Sequence, residues 1–112
     1  MDLIHPLVQE YAEKYSSAED ALLKEVNEYT MKYHSEAVML SGHLQAKVLE
    51  MISCMIQPRR ILEIGTFTGS RGLCLAKGLT DDGQLHTIEL RSADAGRAQS
   101  YFTRSSYADK II

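Results

Sequence analysis

Two glycines and a glutamate lie together in the segment ILEIGTFTG, residues 61–69. Gly65 allows a sharp backbone turn after an apolar run. Gly69 allows a ligand to approach the start of the next helix, where free N–H groups attract a carboxylate or a phosphate. Glu63 adds a negative charge that suits a cationic ligand group. The spacing G-x-x-x-G differs from the G-x-G-x-x-G of dinucleotide-binding proteins, and a tight turn beside a solvated glutamate explains these residues equally well.

A second carboxylate, Glu89, closes the next apolar run, 24 residues after Gly65. In a β-α-β unit, an acid at this place hydrogen-bonds the hydroxyl groups of a ribose. By itself, an acid at a strand end is more often a surface residue. In combination with Gly65 and Gly69, Glu89 favours a ligand that contains a nucleoside.

The segments that carry these residues have the pattern of strands and helices in alternation. Residues 60–65 form an apolar run stopped by glycine, which is typical of a buried parallel strand. The loop 65–72 leads into an apolar helix around 73–79. Turn-forming residues at 80–83 then precede a second strand at 84–90.

The end of the sequence continues this alternation. Ser92 caps a further helix whose predicted buried residues are Ala95, Ala98 and Phe102, and Ile111-Ile112 resembles the start of a third strand. Alternating strands and helices predict an α/β fold with a doubly wound parallel sheet.

The first part of the chain, residues 1–58, has helical periodicity instead. A helix is predicted from Pro6 to about Tyr15. Ser16 and Glu19 match a capping box that opens a second helix, and a third helix follows Ser41-Gly42 and ends before Pro58. The residues predicted to pack on the buried helix faces are Leu7, Val8, Tyr11, Tyr15, Leu22, Val26, Tyr29, Tyr33, Leu44, Val48, Ile52, Met55 and Ile56.

Composition excludes several classes of protein. The chain is 45% hydrophobic and 24% charged with a net charge of −3, which is ordinary for a folded domain and gives no sign of nucleic-acid binding. No apolar run is long enough to span a membrane, and the acidic N-terminus does not resemble a secretory signal. Isolated Cys54 and Cys74 indicate reduced core residues in a cytoplasmic protein. The four histidines lack metal-ligand spacing, so no metal site is expected.

The residues of these motifs resemble those of one protein family. The segment LEIGTFTG before an apolar helix, the turn DDGQLHTIE and the upstream MLSGHLQ, residues 39–45, are similar to class I S-adenosylmethionine-dependent O-methyltransferases, in the catechol and caffeoyl-CoA branch. The resemblance covers most of the chain. It implies N-terminal helices (1–58) followed by the first βαβα of a Rossmann-like, cofactor-binding sheet (59–112), within one domain that is truncated at the third strand.

The resemblance also implies roles for individual residues. Met39 and Ser41 would lie in the loop that closes over S-adenosylmethionine. The glycine-rich turn that faces its methionine moiety would comprise Glu63, Gly65 and Gly69, while Glu89 would hold the ribose.

One departure from the family pattern falls beside the glycine-rich turn. The family continues after the second glycine with Tyr-Ser-Ala, whereas this chain has Ser70-Arg71-Gly72. Arg71 takes the place of a serine that helps to hold the cofactor carboxylate. Arg71 either pairs with that carboxylate directly or crowds the pocket.

The family's divalent-metal ligands and catalytic residues lie on later strands, outside these 112 residues. We therefore expect an N-terminal part of a methyltransferase with a cofactor half-site, inactive alone. The alternative is a non-catalytic truncated or engineered fold module that self-associates. In both cases open strand edges or the N-terminal helices predict a homodimer or higher oligomer.

Overall fold

The computed structural model describes residues 3–40 and 42–112. The elements in chain order are α1 (Pro6–Tyr15), α2 (Ala21–Tyr33), a short 3-10 helix (Ala37–Met39), α3 (His43–Ile56), β1 (Arg60–Ile64), α4 (Ser70–Ala76), β2 (Gln84–Ile88) and α5 (Ser92–Arg104). The predicted α/β class and the order of the elements are confirmed.

The two strands form a parallel pair. Ile61 lies opposite Leu85 and Ile64 lies opposite Ile88. Leu85 also forms a parallel bridge with Ile111, and the N–H and C=O of Leu85 bond to Lys110 and Ile112 respectively. The expected start of a third strand at the last two residues is therefore confirmed, and it lies beside β2.

One hydrophobic core joins the N-terminal helices to the strands. It is formed by α2, α3, α4, β2, α5 and the third-strand residue, and its buried members are Leu23, Val26, Ala46, Leu73, Cys74, Ala76, Leu85, Ala98, Tyr101, Phe102 and Ile111. Ala98 and Phe102 are buried as predicted, while Ala95 is half-buried. Helices 1–58 and the sheet region thus share a single core.

The predicted capping box at the start of α2 is wrong. Asp20 caps α2, and its carboxylate accepts a hydrogen bond from the Leu23 N–H at 2.8 Å. Ser16 instead ends α1, and its hydroxyl donates to the Ala12 carbonyl at 2.6 Å. An aspartate one residue before the helix satisfies a free N–H directly, so the helix begins four residues later than the Ser16 cap predicts.

The predicted buried faces of α1 and α3 are also wrong. In α3, Val48, Ile52, Met55 and Ile56 are 49%, 43%, 76% and 68% exposed. The side that packs is the one with small residues, Ala46 and Ser53. The apolar side chains predicted to pack along α1 are likewise exposed; they are Leu7, Val8, Tyr11 and Tyr15.

The two cysteines differ. Cys74 is buried in the core as predicted, and burial raises the pKa of its thiol to about 11. Cys54 is exposed on α3, because it shares the side of that helix which the core does not cover. The core assignment of Cys54 is therefore wrong.

Close contact between α3 and the end of α4 gives a testable prediction. A Cβ on Gly78 would lie 2.2 Å from the backbone carbon and oxygen of Ser53. We expect Gly78→Ala to lower the free energy of unfolding by at least about 1–3 kcal/mol, the range for overpacked cores. Urea denaturation measures the change.

Gly96→Ala is the matched control. Gly96 lies on the exposed side of α5, and its Cβ would meet nothing within 4 Å. The same substitution there should raise the free energy of unfolding by about 0.5–1 kcal/mol, since glycine weakens a helix interior. Similar effects at the two positions would contradict the tight contact at Gly78.

Candidate functional site

The carboxyl ends of β1 and β2 meet in a turn with unusual backbone geometry. The N–H groups of Gly65 and Thr66 both donate to the Ile88 carbonyl, at 2.8 and 3.2 Å. Gly65, Phe67 and Gly69 have φ angles of 91°, 53° and 101°. Glycine adopts these values readily, as the sequence predicts for Gly65 and Gly69, whereas a positive φ at phenylalanine is strained.

The carboxylate of Glu89 supports that strained residue. Oε1 accepts a hydrogen bond from the Phe67 N–H at 2.7 Å, and Oε2 accepts one from the Arg91 N–H at 3.0 Å. Although partial burial opposes ionisation, the N–H groups of Arg91, Phe67 and Leu90 lower the pKa of Glu89. Glu89 is thus an ionised carboxylate that joins the turn after β1 to the turn after β2.

Glu63 is buried, so the alternative of a solvated glutamate is wrong. Its side chain is only 6% exposed. Oε1 accepts a hydrogen bond from the Thr87 hydroxyl at 2.7 Å, whereas Oε2 has no hydrogen-bond partner among the described residues. Burial raises the pKa of Glu63, against the opposing effects of the Thr87 hydrogen bond and the Arg71 charge.

Arg71 lies over the end of β1. Its Nη2 donates to the Gly65 carbonyl at 2.5 Å, and its Nε lies 3.6 Å from Glu63 Oε2. A Cβ on Gly65 would lie 3.7 Å from Nη2, an ordinary contact distance, so it is the positive φ of this turn that favours glycine and not the space that Arg71 occupies. The guanidinium thus partly neutralises the buried carboxylate.

A cavity of about 370 Å³ opens at this edge of the sheet. It is lined by Met39, Gly65, Phe67, Arg71, Glu89, Leu90, Arg91 and Asp94. Four of the predicted site residues are therefore brought together, and Glu63 reaches them through its ion pair with Arg71. Gly69 is instead the N-cap residue before α4, where a Cβ would lie 2.9 Å from the Phe102 ring. Ser41 lies outside the described residues.

Four lining residues were missed by the sequence reasoning: Phe67, Leu90, Arg91 and Asp94. Leu90 and Arg91 directly follow Glu89 in the loop before α5, so adjacency to Glu89 was an available signal. Asp94 accepts its bond from His34 across 60 positions in the sequence, at 2.7 Å. The His34 ring packs edge-on against Phe67, with centroids 4.6 Å apart, and no local pattern predicts either contact.

A second cavity, of about 410 Å³, is lined by Cys54, Gln57 and residues 77–81. It lies next to the residues that precede β1 and β2, at the amino ends of the strands and away from their carboxyl ends. Open α/β sheets bind ligands at the carboxyl ends of their strands. The cavity at Glu89 is therefore the candidate site.

Residues 3–40 and 42–112 contain no group of three or more His, Cys, Asp or Glu side chains placed to hold a metal ion. They therefore do not fit the divalent metal that the resemblance implies for the longer family members. Across the same residues, no helix is both long and apolar enough to cross a membrane.

Fold and site together define an α/β protein with a glycine-rich turn and a strand-end acid facing one cavity. Family comparison assigns the chain more narrowly: the model of the family described as O-methyltransferase matches residues 13–112. The chain belongs to this O-methyltransferase family.

Individual relatives agree with this assignment. The catechol O-methyltransferase of Mycobacterium tuberculosis is 36% identical over 67 residues, covering 60% of this chain and 30% of the relative. Caffeoyl-CoA O-methyltransferase 1 of Eucalyptus globulus is 29% identical over 89 residues, which cover 80% of this chain and 36% of the relative. The chain therefore spans about a third of the length of these curated relatives.

Solved structures also match. The O-methyltransferase TomG of Streptomyces achromogenes, involved in tomaymycin synthesis and solved with SAM, has a TM-score of 0.83 at 31% identity, covering 95% of this chain and 47% of TomG. An O-methyltransferase of Bacillus cereus, solved with SAH, has a TM-score of 0.82 at 30% identity, and the match covers 94% of this chain and 47% of the Bacillus protein. The predicted family and Rossmann-like fold are confirmed.

The two glutamates predict opposite pH dependences of stability. The folded chain retains the Glu63 proton above 4.5, the ordinary pKa, because burial raises the pKa of Glu63. Its contribution to stability is therefore lost as the pH rises from 4.5 through the raised pKa. Glu63→Gln removes this titration, so the variant should gain stability relative to wild type over that range in urea unfolding.

Glu89→Gln is the control of opposite sign. The pKa of Glu89 is lowered from 4.5, so its contribution is present above 4.5 and is lost as the pH falls through the lowered value. Stability relative to wild type should therefore change with pH only on the acidic side of 4.5. Parallel pH profiles for the two variants would contradict the assigned environments.

Proposed function

We propose that this chain forms the S-adenosylmethionine-binding part of an O-methyltransferase, with the cofactor in the cavity beside Glu89. The observation that carries the proposal is the cavity itself, which brings the ionised Glu89 and the glycine turn together at the carboxyl ends of two parallel strands. Family membership supports it, as do relatives solved with SAM or SAH.

Glu89 is suited to the ribose. Its two oxygens each accept one backbone N–H, and a carboxylate has about four acceptor positions in all. Two ribose hydroxyls can therefore donate to Glu89 while both backbone bonds remain in place.

The other predicted contacts concern the methionine moiety. Gly65 exposes backbone to the cavity, and Glu63 supplies a negative charge beneath Arg71 for a ligand ammonium group. Met39, half exposed at the end of the 3-10 helix, would cover the cofactor together with Ser41. Gly69 would allow α4 to begin close to the ligand.

When bound, the cofactor supplies a methyl group on a positively charged sulfur. The described residues bind and orient it; they contain no group fitted to hold a metal. We therefore assign activation of the acceptor hydroxyl to sequence that the longer relatives have in addition to the part matched here. The purified 112-residue chain is expected to show no methyl transfer to catechol with or without Mg²⁺, and metal-dependent turnover would contradict this assignment.

Removal of the Glu89 carboxylate tests the cofactor site. A charge-assisted hydrogen bond contributes about 1.5–3 kcal/mol, so Glu89→Ala should weaken binding of S-adenosylhomocysteine by at least roughly tenfold. Isothermal titration calorimetry measures the dissociation constant. Glu28→Ala, an exposed glutamate on α2, is the matched control and should bind like wild type.

Glu89 also supports Phe67, so a loss of binding needs a second variant. Glu89→Gln keeps an oxygen that can accept from the Phe67 N–H and removes the charge. Weaker binding in both variants, with unchanged circular dichroism, supports direct recognition of the ribose. If Glu89→Ala bound S-adenosylhomocysteine as tightly as wild type, the proposal that Glu89 holds the ribose would be contradicted.

Self-association is a second proposal, and it rests on one side of the sheet. Glu63 and Ile61 face the core, whereas Leu62, Ile64 and Ile88 are 64%, 79% and 57% exposed. Parallel sheets normally have both faces covered. A second copy of the chain is one way to cover these side chains, and the additional length of the relatives is the other.

Sedimentation equilibrium separates these possibilities for the 112-residue chain. We expect a mass of at least twice 12.6 kDa at micromolar concentration. Ile64→Lys would place a charge in the exposed patch and should shift the equilibrium toward monomer. Glu28→Lys, on α2 and away from the sheet, is the charge control and should leave the equilibrium unchanged. A well-folded wild-type monomer would rule out self-association.

A further inference from the structure

The guanidinium of Arg71 lies over two acceptors at the carboxyl end of β1. Nη2 donates to the Gly65 carbonyl at 2.5 Å, while Nε is 3.6 Å from Glu63 Oε2, too far for a hydrogen bond. That oxygen belongs to a side chain 6% exposed, and it has no hydrogen-bond partner among the described residues. Arg71 therefore compensates the charge of Glu63 without satisfying its free oxygen.

These two acceptors, of which Glu63 Oε2 has no hydrogen bond, match an ammonium group. An ammonium is a compact cation with three donors, whereas the guanidinium is a planar fork. Arg71 donates a short hydrogen bond to the Gly65 carbonyl oxygen but makes no hydrogen bond to Glu63 Oε2. A ligand ammonium would have both the charge and the donors to bond both oxygens.

We propose that Arg71 is an internal cation that occupies the ammonium subsite and has to be displaced by the α-ammonium group of the ligand. Arg71 is then a specificity-determining residue: it lowers affinity for nucleosides that carry a free amino-acid group and leaves the adenosine contacts unaffected. This inference rests on the proposed function, because it assumes that the nucleoside binds in the cavity beside Glu89.

Arg71 is placed so that it can move. Its side chain is 33% exposed, so water screens its attraction to Glu63. It lies in the first turn of α4, where the helix dipole disfavours a cation.

Two ligands and two variants test the inference by calorimetry. S-adenosylhomocysteine carries the amino-acid group, and 5′-methylthioadenosine lacks it. Arg71→Ser should tighten binding of S-adenosylhomocysteine by about tenfold, the value of one charge-assisted hydrogen bond, and should leave 5′-methylthioadenosine unchanged. Arg60→Ser, the same substitution at the opposite, exposed end of β1, should change neither affinity.

Other results overturn the inference. Weaker binding of S-adenosylhomocysteine to Arg71→Ser would mean that Arg71 holds the ligand carboxylate instead. Equal affinity of both proteins for S-adenosylhomocysteine, or equal shifts for both ligands, would overturn it while the proposed function stands. If neither ligand binds wild type or variant, the proposed function fails and this inference fails with it.

Discussion

Parallel pairing of β1 with β2 is the constraint on which the candidate site depends. Because parallel strands end at the same edge, the register of Ile64 opposite Ile88 places Gly65 next to Glu89. The Ile88 carbonyl then accepts from two successive N–H groups of the turn, and Glu89 reaches back to a third, on Phe67. A positive φ at a residue other than glycine costs about 1–3 kcal/mol, and this bond from the neighbouring strand helps to offset it.

The same register explains how a glutamate can be buried beneath the cavity. Glu63 lies opposite Thr87, whose hydroxyl donates to Glu63 and also bonds the Thr66 hydroxyl at 2.5 Å. Gly72 leaves room for the Glu63 side chain, since a Cβ there would lie 3.3 Å from both Glu63 Oε1 and the Phe102 ring. The glycine at this departure from the family pattern thus has a packing reason, which compensates for its poor helix propensity.

The sequence predicted those features that short-range chemistry determines. Gly65 and Gly69 have positive φ, as a strand-to-helix turn requires, and Glu89 lies at the expected edge. The burial of α3 was not predictable in this way. Periodicity identifies an apolar side of a helix, but contact with α4 selected the side of Ala46 and Ser53, because small residues allow closer approach. The pairing of His34 with Asp94 likewise depends on tertiary structure alone.

The two faces of the sheet differ in what covers them. Alternation along β1 directs Glu63 toward α4 and directs Leu62 and Ile64 to the opposite face. The contacts that run from Thr87 to Arg71 and Glu89 beside the cavity involve the covered face or the carboxyl ends of the strands. The exposed face contributes apolar area that only a covering layer can remove from water. The cavity and the uncovered apolar side chains therefore lie on different surfaces of these two strands, and a covering layer would act on stability without touching the residues that line the cavity.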